Sequence, residues 1–223
     1  MEHLTITIDG PAGAGKSTIA KRLAKKLGIT HLDTGAIYRT IGLHMLRKGV
    51  ELTDDDAMSR ELAGTDIKVR FDGDVQHMML DGEDVTAEIR SIGASYAASM
   101  VAVNADVRKA ATMIARKIAE ETSVIMDGRD AGTAILPGAS IKIFLTASLE
   151  ERVRRRHAEM VSKGERVSFE EVLKDVSFRD KNDSGRAEDP LRKAEGAYFV
   201  DTTGMSIEQV VGCLIRCIQQ EKK

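Results

Sequence analysis

Gly10, Gly15, Lys16 and Ser17 fill the spacing G-x-x-x-x-G-K-[ST] within the nonapeptide GPAGAGKST, residues 10–18. Glycines let successive backbone N–H groups turn inward around phosphate oxygens at a helix N-terminus. A lysine at this spacing reaches β- and γ-phosphates, and the following hydroxyl completes the oxygen shell of a Mg²⁺ ion. The apolar LTITID before the loop and the helix formers TIAKRLAKKL after it supply the strand and helix that the motif demands. Gly10, Pro11, Ala12, Gly13, Ala14, Gly15, Lys16, Ser17 and Thr18 are therefore the expected ATP-binding loop.

Four further stretches carry the residue types of phosphoryl transfer. In HLDTGAIYR, residues 31–39, Thr34 and Tyr38 are four apart on a helix opening and share a face, with Arg39 beside them. In DGRDAGT, residues 127–133, two acids and an arginine crowd a strand end, which is costly to bury unless a ligand satisfies them. The run Arg152, Arg154, Arg155 and Arg156 alternates with acids, the usual pattern of a solvated helix, and RDKNDSGR offers Arg179, Asp183 and Arg186. Beside a P-loop both gain weight, because arginines closing over a γ-phosphoryl group in flight contribute on the order of 10³ to 10⁵ in rate. The same closure keeps water from taking the phosphoryl group.

The elements that must hold these residues follow from periodicity. Short apolar runs at 4–8, 29–32, 123–126, 141–145 and 197–200 alternate with helical stretches, the pattern of a doubly wound α/β sheet. In such sheets ligands gather at the carboxyl ends of the strands, where Asp9, Asp33 and Asp127 fall. Ser17, Asp33 and Asp127 are the expected magnesium ligands, with helix N-capping the competing role for Asp33. Ser148 with Glu151, Ser168 with Glu171 and Ser206 with Gln209 mark helix starts as capping boxes. Between residues 64 and 86 the rhythm changes to IKVRF, VQHMML and DGEDV separated by Asp-Gly, which reads as an antiparallel insertion followed by helices through 94–100 and 106–121. The charged stretch between the fourth and fifth strands reads as a helical flap, and no internal repeat divides the chain.

The 223 residues are 42% hydrophobic and 30% charged, enough for one sizeable core, and exclude disordered or fibrous classes. A formal net charge of −2 offers no overall positive field for nucleic acid. Without a bilayer-length apolar run or a signal-peptide pattern, the expectation is a cytoplasmic protein that binds neither membrane nor nucleic acid. Cys213 and Cys217 share a helix face and read as buried free thiols, and the five scattered histidines read as structural or surface residues.

Taken in order, GPAGAGKST, LDTGAIYR, DGRDAGT, RDKNDSGR followed by PL, and DTTGMSIEQVV resemble the bacterial cytidylate kinases, of the nucleoside monophosphate kinase family, over essentially the full length. The resemblance implies a P-loop NTPase fold within 1–223, a five-stranded parallel sheet in the order 2-3-1-4-5, a monophosphate-binding insertion at 64–97 and an arginine-bearing helical lid at 150–187. The implied reaction is Mg²⁺- and ATP-dependent phosphorylation of CMP or dCMP, by a monomer. The same resemblance puts Arg39 and Arg129 on the acceptor phosphate, Arg179 and Arg186 beside phosphate and sugar, Asp183 on the sugar hydroxyl, and Ser99, Arg108 and Asp130 on the cytosine ring. Thr34 and Tyr38 complete the acceptor site, and Lys16, Arg129, Arg179 and Arg186 form the catalytic set. A carboxylate suits the cytosine amine and donors suit its O2 and N3, so uracil would set acceptor against acceptor. The acceptor oxygen is already anionic, so no general base is required. Ala131 and Asn182 depart from the family pattern, where methionine and arginine are common. Rival readings are a P-loop kinase for another small acceptor, which Asp130 and Arg108 disfavour, and a P-loop switch or nucleic-acid-binding ATPase gripping RNA through residues 152–156, which the near-neutral charge disfavours.

Overall fold

The computed structural model describes residues 3–221, so residues 1, 2, 222 and 223 of the expected domain lie outside the described residues. Five strands, β1 (Thr5–Asp9), β2 (Thr30–Asp33), β6 (Val124–Gly128), β7 (Ile141–Thr146) and β8 (Tyr198–Asp201), form one sheet. Its order, β2-β6-β1-β7-β8, is 2-3-1-4-5 when these strands are counted along the chain, and every pairing is parallel. The interior strand β6, VIMDG, between β2 and β1, is buried along its whole length because helices cover both faces. Its side chains alternate between the two cores. Val124 and Met126 pack with Ile37, Ile41 and Met45 on one face, while Ile125 packs with Ile8, Leu23 and Leu214 on the other.

The first face is covered by α2 (Thr34–Lys48) and α5 (Ala105–Glu121), with α3 (Asp55–Leu62) and α4 (Ile92–Val101) outside them. Gly42 lets α2 and α4 approach closely: a Cβ there would lie 2.9 Å from the backbone of Ala97. The second face carries α1 (Lys16–Leu27) and α8 (Ile207–Glu221). A three-stranded antiparallel sheet of β3 (Ile67–Asp72), β4 (Val75–Leu80) and β5 (Glu83–Asp84) lies within 64–97. Asp81 and Gly82 turn β4 into β5 with φ of 48° and 87°, the left-handed pair that a two-residue hairpin needs. DGEDV thus contributes only two strand residues, because Val85 instead packs into the core. The flap is a helix pair, α6 (Leu149–Ser162) and α7 (Phe169–Gly185), which shares a small core of Val153, Met160, Val172 and Val176 with Ala12 of the phosphate loop.

Two of the three capping boxes close reciprocally, at Ser168/Glu171 and Ser206/Gln209. At Ser148 only half forms, because Glu151 turns to Arg154 and Arg155 instead of back to the cap. Cys213 and Cys217 are free but only partly buried, since they sit at the edge of the face that α8 presents to the sheet. Among the described residues no helix is long and apolar enough to cross a membrane.

Candidate active site

The ends of β1, β2 and β6 and the lid pair enclose a cavity of about 610 Å³. At one end is the phosphate loop. Gly10 takes φ +149° and passes so close to β7 that a Cβ would lie 1.9 Å from the Leu145 carbonyl oxygen. Lys16 is buried and donates from Nζ to the Pro11 carbonyl at 2.8 Å. Burial, with Arg129 nearby, pushes its pKa down from 10.5 to about 7. Of the expected loop residues, Ala12, Gly13, Gly15, Lys16, Ser17 and Thr18 line the cavity, while Gly10, Pro11 and Ala14 shape the loop from behind.

Arg152 corrects the solvated reading of its helix. It is buried, donates to the carbonyls of Ala147 (3.0 Å) and Ala12 (2.9 Å), and pairs with Asp180 of α7 at 2.7 Å. Asp180 in turn accepts from the Ala12 N–H at 3.4 Å, so one arginine ties the phosphate loop to both lid helices. Arg155 also faces inward in part, bridging Glu151 and Thr202, whereas Arg154 remains on the surface.

The three strand-end acids take three different roles. Asp9 accepts the N–H groups of Ala131 and Gly132 at 2.8 and 2.7 Å, and burial pushes its pKa up to about 6 despite those bonds. It thereby anchors the π-helical turn at Ala131–Ile135 that follows Arg129 and Asp130. Asp33 caps α2 by accepting from Ala36 N–H at 3.1 Å and pairs with Arg39 at 2.7 Å. Burial raises its pKa, but Arg39, Arg90 and His31 outweigh that and hold it at about 2. Asp33 therefore caps α2, the competing role, and pairs with Arg39 while lining the same cavity wall as Asp127. Asp127 accepts from His31 Nε2 at 2.6 Å, while its main-chain oxygen takes the Thr34 hydroxyl at 2.9 Å. His31 is thus a structural histidine that orients a site acid.

Ser17 and Asp127 are hard-oxygen donors on the same cavity wall. No group of three or more His, Cys, Asp or Glu side chains among the described residues is placed to hold a metal alone. Such a sparse set fits Mg²⁺, which is carried into kinase sites largely on substrate phosphates and water.

At the other end, Arg129 Nε donates to Asp183 at 2.6 Å, and this pair raises the arginine pKa and lowers that of the acid against the opposing effect of burial. Arg179 lies beside it, and burial together with Arg129 pushes its pKa down to about 10. Asp130 accepts from Arg108 Nη2, with Arg186 Nη2 at 3.5 Å. Tyr38, Ser99, Asp130 and Arg186 line the cavity, whereas Arg108 sits behind Asp130 and reaches the cavity only through it. The Ser99 hydroxyl accepts from Asn182 Nδ2 at 3.4 Å, linking α4 to α7. Tyr38 Oη, Arg39 Nε, Arg156 Nε and Arg186 Nη2 are buried without a hydrogen-bond partner, and all four belong to residues of the cavity wall. Buried polar atoms left unpaired are costly, and a polar or anionic ligand in the cavity would meet these four.

Lys21, Arg90, Ser95, Glu159 and Lys163 also line the cavity and had not been singled out. Helical spacing carries the signal for four of them: Lys21 is one turn beyond Ser17, Ser95 one turn before Ser99, and Glu159 and Lys163 continue the face of Arg156. Arg90, in the short turn at Glu88–Arg90, has no such signal.

The chain matches the cytidylate kinase family model over residues 6–220. It is 49% identical to the cytidylate kinase of Carboxydothermus hydrogenoformans over 96% of this chain and 97% of that one. With the cytidylate kinase of Bacillus subtilis it shares 43% identity over 100% of this chain and 99% of that one. A shikimate kinase structure from Bacteroides thetaiotaomicron covers 97% of this chain and 98% of its own at a TM-score of 0.50 and 14% identity, a likeness of fold alone.

Proposed function

This chain belongs to the cytidylate kinase family, and we propose that it transfers the γ-phosphoryl group of ATP to CMP or dCMP, giving ADP and the diphosphate. It is a nucleoside monophosphate kinase. The observation that carries the assignment of roles is one cavity with a phosphate loop at one end and a carboxylate held by arginines, Asp130, at the other. The triphosphate lies along residues 10–18, with Lys16 supplying the positive charge. Arg39 and Arg129 take the acceptor phosphate, Arg179 and Arg186 bridge the phosphates from the lid, and Asp183 takes the sugar hydroxyl. Thr34 and Tyr38 complete the acceptor wall, and Asp130 with Ser99 reads the base, Arg108 acting from behind the acid.

The orphaned donors of Arg39, Arg156 and Arg186 support this division, because each gains an oxygen partner when two polyanions enter. The barrier these residues lower is electrostatic: two phosphate groups must meet end to end, and fixed guanidinium and amide donors offset their repulsion without reorganising. Ser17 and Asp127 would hold Mg²⁺, which neutralises phosphate charge when bound. Residues 64–97 act as the acceptor-binding insertion and 150–187 as the lid within a single kinase domain. A monomer in the cytoplasm, acting on small nucleotides and not on nucleic acid, completes the reading.

The test is ADP release from ATP and Mg²⁺ with CMP, dCMP, UMP, AMP or no acceptor. CMP and dCMP should lead the panel, with little release when the acceptor is omitted. Equal rates for all pyrimidines would remove the base-reading assignment, and acceptor-independent hydrolysis would remove the kinase.

A further inference from the structure

We propose that Asp189, just beyond the lid, is a positioning residue for recognition of the acceptor base, holding Arg108 from behind and tying it to Arg186 so that Asp130 stays open to the cavity. The inference rests on the kinase reading above. Asp189 Oδ2 accepts from Arg108 Nε at 3.1 Å and from Nη2 at 2.9 Å, and its main-chain carbonyl accepts from Arg186 Nε at 2.8 Å. It is therefore the one residue that binds both arginines flanking Asp130 by hydrogen bonds among the described residues.

Two features show that this contact constrains the chain. Asp189 is a non-glycine residue at φ +44°, and it precedes Pro190, where an extended conformation is favoured. Arg108 has only 3% of its side chain exposed, so its charge must be met within the protein. Its donors are spent on Asp189, on Asp130 and, more weakly at 3.4 Å, on the Ala102 carbonyl.

The charges explain why the second acid matters. Arg108 and Arg186 carry two positive charges, and Asp130 and Asp189 carry two negative ones. With Asp189 taking one edge of Arg108 and, through its backbone, Arg186 Nε, the carboxylate of Asp130 retains acceptor sites for a base amine. Without the Asp189 carboxylate, Arg108 falls on Asp130 alone while Arg186 keeps its bond to the residue 189 main-chain carbonyl, and an incoming cytosine amine must compete with Arg108 for the Asp130 oxygens. None of the three hydrogen bonds of Asp189 involves the phosphate loop, so the loss should appear on the acceptor side alone.

Asp189→Ala and Asp189→Asn in the full chain, assayed with varied CMP, UMP and ATP, test this. Asp189→Ala should raise KM for CMP about tenfold and reduce the CMP-to-UMP ratio of kcat/KM by a similar factor, as expected for one charge-assisted contact. KM for ATP, and kcat at saturating CMP, should stay within about twofold of wild type. Asp189→Asn, which keeps a neutral acceptor, should recover part of the CMP affinity. Wild-type KM for CMP and wild-type selectivity in Asp189→Ala would overturn the inference while leaving the kinase reading intact. Parallel rises in both KM values with a lowered Tm would overturn it in favour of a purely structural role. A wild-type protein that does not phosphorylate CMP would overturn both.

Discussion

Replacing Arg152 by alanine tests whether the phosphate loop is held by the lid base or stands by its own glycines. The side chain is 8% exposed and its partner Asp180 24% exposed, so the pair is screened far less than a surface ion pair. Truncation leaves three groups short of a partner: the Ala12 and Ala147 carbonyls and the Asp180 carboxylate, which keeps only a 3.4 Å bond from Ala12 N–H. Breaking a fully buried pair costs roughly 3–5 kcal/mol, and partial exposure of Asp180 brings the expected loss to about 3 kcal/mol. Because the freed atoms belong to Ala12, in the loop itself, KM for ATP should rise about tenfold, more than KM for CMP. Urea unfolding gives the first number and initial-rate kinetics the second. Arg152→Lys keeps the charge but cannot fork between two carbonyls and a carboxylate, so it should fall between alanine and wild type. A loss below about 1 kcal/mol together with an unchanged KM for ATP would show that the loop does not depend on this arginine.

Three other perturbations have equally definite outcomes. The free-enzyme pKa of Lys16, about 7, must rise when a triphosphate surrounds it, so ATP binding should take up a proton between that value and the ordinary 10.5. Calorimetry in buffers of different ionisation heat should register the uptake near pH 8, and Lys16→Met should abolish it. Gly10→Ala places a Cβ where the Leu145 carbonyl lies, at 1.9 Å, so the variant should yield little soluble folded protein; wild-type Tm would contradict the close approach. Asp33 has its pKa held at about 2 against an ordinary 3.8, so its stabilisation is complete above 3.8 and is lost as pH falls toward 2. Asp33→Asn should therefore flatten that part of the stability profile and raise KM for CMP by freeing Arg39, and an unchanged acid limb would refute the pairing.

The phosphate loop was legible because its chemistry is local: glycines, a lysine and a hydroxyl at fixed spacing between a strand and a helix can do little else. The sheet was legible for a similar reason, since strands buried on both faces are short apolar runs, as residues 124–126 are in β6 before the site acid Asp127. Boundaries shifted by a residue or two, which brought Asp9, Asp33 and Asp127 inside the strand ends.

Roles set by distant partners could not be read this way. Nothing in the spacing of Arg152, Arg154, Arg155 and Arg156 distinguishes the one that reaches Ala12, because that choice depends on how α6 is rotated against the loop. Asp33 and Asp127 occupy equivalent strand ends, yet Arg39 claims the first and His31, from the neighbouring strand, engages the second. The distinction arises because a carboxylate is committed by whichever donor lies within about 3 Å, and for residues 96 apart in sequence only folding brings that donor there. Local spacing fixed which side chains could bind phosphate, and tertiary packing decided which of them are free to do so.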